Sequence, residues 1–140
     1  MKQKSWEHYS HTADIGIRGF GPTREDAFAQ AALAMIAVSV DLETIRPTQQ
    51  VDITCEADDN ELLFIAWLNC IIYEMATRKM VFSDFKVAIK GKKLTAIAFG
   101  EKLDLKRHNP SVEIKGATYT DMKVQVDEDG TWLAQCIVDI

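Results

Sequence analysis

The groups in this sequence best suited to holding a hard cation are two aspartates and the last residue. Asp139 and Ile140 follow directly on the apolar run Cys136-Ile137-Val138, so a side-chain carboxylate sits beside the free α-carboxylate. Asp14 lies near the other end, in His11-Thr12-Ala13-Asp14-Ile15-Gly16. Oxygen donors of this kind suit Ca2+ or Mg2+. Like charges brought this close raise each other's pKa unless a cation neutralises them. Taken singly, each acid has a plainer reading: Asp14 pairs with Arg18 along one strand face, and Asp139 is a solvated strand end, since most surface acids are solvated or weakly paired. A site therefore requires the two ends to meet in space. Two carboxylates and a terminus would leave the cation's shell partly open to water or to a partner's groups.

Other chemistry-bearing residues give less. His11 has no Ser, Cys or second His at a catalytic spacing and reads as a hydrogen-bonded structural histidine; His8 and His108 are weaker candidates still. Gly16, Gly19 and Gly21 run in the reverse order of a dinucleotide fingerprint, and no Walker A sequence occurs. Phe64, Trp67 and Tyr73 recur at helical spacing and read as core rather than as a base-stacking platform. Lys115 reads as an exposed strand lysine in preference to an anion contact. The three cysteines, Cys55, Cys70 and Cys136, have apolar neighbours and no Cys-x-x-Cys spacing, so they read as small core residues in a reducing cytoplasm.

The elements that must position these groups follow from periodicity. Trp6 to Phe20 reads as one half-buried strand, with Ala13, Ile15 and Ile17 on one side and Thr12, Asp14, Gly16 and Arg18 on the other. Thr23, with Glu25 and Asp26 behind it, caps a helix carrying Phe28, Ala31, Ala32, Met35 and Ile36. Gln50 to Glu56 alternates as a strand, and Asp58 to Glu61 opens a central buried helix from Leu62 to about Arg78, with Leu62, Ile65, Ala66, Ile72 and Tyr73 on one face. The second half is strand-rich: Phe85 to Lys90, Leu94 to Phe99, Glu113 to Val126, and Trp132 to Ile140 after an Asp129-Gly130 turn. In the last strand Trp132, Ala134, Cys136, Val138 and Ile140 share one apolar parity, which anchors Ile140 in the core. The order β-α-β-α-β-β-β-β predicts a single-domain α+β sandwich over 1–140, with a mixed or mostly antiparallel sheet and two main helices.

At 140 residues and 47% hydrophobic composition, the chain can bury one continuous core. Its net charge of -5 argues against autonomous nucleic-acid binding, which depends on clustered Lys and Arg. Any contact with RNA is expected to run through a partner. Neither a secretory signal nor a membrane-spanning run is recognisable, and cytoplasmic location is the expectation.

Five blocks now stand in order: His11-Thr12-Ala13-Asp14; Thr23-x-Glu25-x-Ala27-Phe28; Leu62-Leu63-x-x-x-Trp67-Leu68; Lys115-x-x-Thr118-Tyr119; and Asp139-Ile140. Together with Gly100-Glu101 and His108 they resemble the archease family over the whole chain. Thr120, and Val38-Ser39-Val40-Asp41 before the first loop, depart from the family pattern without touching the candidate ligands. The resemblance implies an accessory protein, not an enzyme, that promotes guanylylation and multiple turnover of an RtcB-type RNA ligase in tRNA splicing, meeting nucleic acid only through that partner and no membrane. It also implies a divalent metal, Ca2+ before Mg2+ or Mn2+, held by Asp14, Asp139 and a backbone oxygen of Ile140. The alternatives are a metal-assisted phosphate-ester hydrolase and a chaperone or modulator of tRNA methylation.

Overall fold

The computed structural model describes residues 3–140. β1 (Ser5–His11) and β2 (Asp14–Gly21) form an antiparallel hairpin, so the single strand expected over Trp6 to Phe20 is in fact two. The reversal occurs at Thr12-Ala13, where Thr12 adopts a left-handed φ of 51°. α1 (Arg24–Ala37) begins at Thr23, whose hydroxyl accepts the Asp26 N–H at 3.1 Å, satisfying one of the orphan donors of the first turn. The helix lies against β2 at Gly19, where a Cβ would come within 2.2 Å of the Ala31 backbone nitrogen.

A 3-10 turn, Leu42–Thr44, leads into β3 (Gln49–Glu56). α2 (Asn60–Arg78) is capped by Asp59, whose carboxylate accepts the Leu62 N–H at 2.8 Å, and it ends at Lys79 in a left-handed conformation. β4 (Met80–Lys90) and β5 (Lys93–Lys102) follow, and a short helix, α3 (Leu105–His108), occupies the Pro-containing loop. The strand expected over Glu113 to Val126 shrinks to β6 (Gly116–Ala117) and β7 (Lys123–Val126), because the intervening segment turns at Asp121, φ 52°. β8 (Trp132–Asp139) completes the chain's strands.

Two sheets result, and every strand pairing among the described residues is antiparallel. The larger runs β1-β2-β8-β6, with β7 further along the same edge of β8, and the smaller runs β3-β5-β4. α1 touches β1, β2 and β8 of the larger sheet and β4 of the smaller, while α2 touches β3, β4 and β5 of the smaller and β6 and β7 of the larger. The helices thereby join both sheets through one core, as the sandwich expectation requires.

Trp67 pins the two helices together. It is fully buried, its Nε1–H donates to Phe28 O at 3.0 Å, and its ring meets Phe85 edge-on at 5.4 Å between centroids. Phe64 is core as expected, whereas Tyr73 and Leu62 face solvent at 64% and 39% exposure. The buried face of α2 is instead Leu63, Phe64, Ile65, Trp67, Leu68 and Ile71.

All three cysteines are free thiols. The Cys55 thiol on β3 faces that of Cys70 on α2, and burial pushes Cys55 up to about 12; burial does the same to Cys136. These are unreactive packing residues at neutral pH. Among the described residues no helix is long and apolar enough to cross a membrane.

Candidate functional site

β2 and β8 are the central strands of the larger sheet, and their register decides whether the two acidic positions meet. Ile15 pairs with Val138 and Gly16 with Ile137. The paired rungs end there, and continuing the same register sets the first residue of β2, Asp14, toward the last of β8, Asp139, at one end of the ladder. Residues opposed across an antiparallel pair share a face. Asp139 O accepts the Lys115 N–H at 2.8 Å on the other side of β8, so its carbonyl is turned away from β2.

The row extends to β1, because His11 pairs with Asp14 at the close of the hairpin. His11, Asp14 and Asp139 therefore lie in line on the sheet face opposite α1. The Nδ1 atom of His11 is buried and has no hydrogen-bond partner. Thr12, next to it, holds its left-handed backbone with its hydroxyl donating to His11 O at 2.8 Å. A β-branched residue at positive φ is strained. Asp139 is exposed, Asp14 and His11 are half-buried, and the Ile140 side chain packs against the core as its parity predicts. Among the described residues no three His, Cys, Asp or Glu side chains gather as a metal-ligand cluster.

Below this row the same face is closed by side chains that lock one another. Tyr9 lies across Gly16, where a Cβ would fall 2.3 Å from the ring, and its hydroxyl donates to Asp121 Oδ2 at 2.8 Å. Burial, helped by the hydrogen bond to Asp121, raises the Tyr9 phenol above its ordinary range. Arg18 stacks on the Tyr9 ring at 3.9 Å and donates to Gln135 Oε1 at 2.8 Å and to Glu7 Oε2 at 3.3 Å. The expected pairing of Asp14 with Arg18 is thus replaced: Arg18 reaches across strands to Glu7 and Gln135, which share its rung.

A second polar cluster, Glu101 with Arg107 and His108, lies in the core. Arg107 grips Glu101 through two hydrogen bonds of 2.6 and 2.9 Å, and the Arg46 N–H adds a third at 2.8 Å. The Asp104 N–H donates to His108 Nδ1 at 2.9 Å, which leaves Nε2 to carry the proton and donate to Glu101 Oε2 at 2.9 Å. The Arg107 hydrogen bonds, aided by Arg46 and His108, overcome burial and hold the Glu101 carboxyl well below the usual carboxylate range. Every polar group here is satisfied within the fold, so this cluster positions the 104–108 turn. Lys115 is exposed, as expected. Neither spacing nor periodicity singles out Glu101 or Arg107, because their contact exists only once α3 folds back on β5.

Comparison with known proteins places the whole chain. The family described as "Archease protein family (MTH1598/TM1083)" matches residues 6–140. Protein archease of Pyrococcus furiosus is 44% identical over 98% of this chain and 99% of its own length. Protein archease of Methanosarcina barkeri is 38% identical over 98% of this chain and 97% of its own. The solution structure of Methanobacterium thermoautotrophicum protein 1598 superposes with a TM-score of 0.83 at 30% identity, covering 97% of this chain and 99% of that one.

Proposed function

This chain belongs to the archease family, and from that premise we propose that it is an accessory protein of an RtcB-type RNA ligase, promoting the ligase's guanylylation and multiple turnover in tRNA splicing. The observation that carries the reading is that the β2–β8 register, paired through Ile15 and Val138, brings Asp14 and Asp139 to the same end of the ladder. Two carboxylates drawn together at one end of a ladder repel unless a cation lies between them. In this reading Asp14, Asp139 and a backbone oxygen of Ile140 hold a divalent cation, Ca2+ first, with Mg2+ and Mn2+ served by the same oxygen set. Such a cation supplies positive charge with ligand positions open to a partner's oxygen groups.

The chain's own residues set where that charge sits. Ile140 anchors in the core and fixes the end of β8, and the Lys115 N–H holds the Asp139 carbonyl on the β6 side. The acidic net charge of -5 fits a protein that meets the ligase in the cytoplasm and leaves RNA to it.

The test is single-turnover guanylylation of the cognate ligase with wild-type protein, Asp14→Ala and Asp139→Ala. Both variants are expected to lose the stimulation. Equal stimulation by all three would overturn the metal-site role, and turnover of a phosphate ester by the isolated protein would favour the hydrolytic alternative instead.

A further inference from the structure

The β1–β2 hairpin keeps two local costs that a neutral turn would shed. Thr12 stands at φ 51° where glycine or asparagine is the usual occupant, and His11 buries Nδ1 without a partner. Unsatisfied buried polar atoms in a native fold are rare, and each calls for a partner supplied from outside the bare chain or by a change of rotamer. Strained residues likewise persist where the surrounding structure serves a site. One cost falls on the rung that His11 shares with Asp14 and the other on the loop residue next to it.

We propose that His11 is a positioning residue for Asp14: when a divalent cation is bound, the Asp14 carboxylate keeps one oxygen for the cation and accepts a hydrogen bond from His11 Nδ1–H with the other. This rests on the cation-binding reading above. A carboxylate has two oxygens and roughly four acceptor sites, enough for both partners. Metal-ligating carboxylates are commonly fixed by such outer hydrogen bonds, whose loss weakens metal binding by about 10–100-fold. His11 acts here as a donor and not as a ligand. The hairpin geometry serves this role: its two-residue loop makes His11 and Asp14 the closing pair, so neither can slide along its strand without breaking the turn.

The test uses Ca2+ alone as the probe, with calorimetric titration of wild type, His11→Phe, His11→Asn and Asp14→Ala, and nitrogen-detected NMR of the His11 ring in the wild type. His11→Phe is expected to weaken Ca2+ binding by about 10-fold or more. His11→Asn, whose amide N–H stands close to the place of Nδ1–H, is expected to recover most of it. Saturating Ca2+ should bring the Nδ1–H of the wild-type ring into a hydrogen-bonded, slowly exchanging state. If Asp14→Ala loses Ca2+ while His11→Phe binds as tightly as wild type, or if the ring is unmoved by saturating Ca2+, the positioning role is overturned and the cation site stands. If Asp14→Ala binds Ca2+ as the wild type does, the site and the positioning role fall together. Should His11→Phe not fold, His11→Asn and the wild-type ring resonance decide the matter alone.

Discussion

Asp14 and Asp139 lie at the same end of the two central strands of the larger sheet, each next to the last paired rung, Ile15 with Val138, and the Asp139 carbonyl is turned away from β2 to the Lys115 N–H. Like charges drawn together there oppose folding by about 0.2–1 kcal/mol relative to a neutral pair. Asp139→Asn is therefore expected to raise the melting temperature by a few degrees in chelator. In Ca2+ at about a hundred times the dissociation constant the order should reverse, because wild type gains roughly 2.7 kcal/mol that the variant does not. Melting curves of both proteins in EDTA and in Ca2+ check this. A Ca2+ response of the same size in both would remove Asp139 from the site.

Glu101 gives the fold a defined acid limit. Its folded-state pKa is depressed by the hydrogen bonds from Arg107, with Arg46 and His108 adding to them, against an unfolded value of about 4.3. Stability from this group is thus fully present above about pH 4.3 and is lost as pH falls toward the depressed folded value. Urea midpoints of the wild type should drop on that acid side, and Glu101→Gln should flatten this part of the profile while lowering stability at pH 7. Arg107→Ala strands a buried carboxylate that also holds the Arg46 N–H, and is expected to cost about 3 kcal/mol. An unchanged acid slope in Glu101→Gln would show that other carboxylates set the limit.

How much of this was legible in the sequence depended on whether a signal was local. Thr23 and Asp59 cap their helices as their types suggest, and the β8 parity that packs Ile140 against the core reads straight from alternation. The first hairpin was concealed because Thr12-Ala13 lacks the Gly or Asn that announces a two-residue turn. One trace of it exists: Trp6 packs against the core from an even position, whereas Ile15 and Ile17 do so from odd ones. A strand without a bulge keeps one parity, so that change marks either a bulge or a reversal. Tyr73 departs from the helical core pattern because it stands on the solvent side of α2 despite its aromatic ring. The Glu101–Arg107–His108 cluster needed the third dimension entirely.

The cysteines offer a chemical probe of packing. The Cys55 thiol is pushed up to about 12 by burial beside Cys70, so at pH 8 roughly one molecule in ten thousand carries the thiolate, against a substantial fraction for a free thiol near 8.5. Reaction of native protein with a disulfide reagent at pH 8 should be slow, at least about a hundred-fold slower at Cys55 than in denaturant. Single-cysteine variants retaining only Cys55 isolate the rate. Native and denatured rates that agree within a few-fold would mean that the β3–α2 contact opens readily.

Gly19 is where the sheet bearing the site meets the helix beneath it, and it tests whether the face that carries Asp14 depends on α1. A methyl there would lie 2.2 Å from Ala31 N and 2.3 Å from Ala27 O, both helix backbone atoms that no rotamer change can move. Gly19→Ala must therefore shift α1 away from β2, and α1 carries the Phe28 carbonyl that receives the Trp67 Nε1–H. The displacement would loosen α2 as well, for a cost of about 3 kcal/mol or more, at the upper end of overpacking effects. Gly116→Ala is the matched control, since its methyl would meet nothing nearer than Asn69 Oδ1 at 3.7 Å. That substitution should be neutral or stabilise by about 0.4–1 kcal/mol through the unfolded state. Chemical denaturation with tryptophan fluorescence distinguishes the two: equal midpoints would mean that α1 rides on β2 with slack.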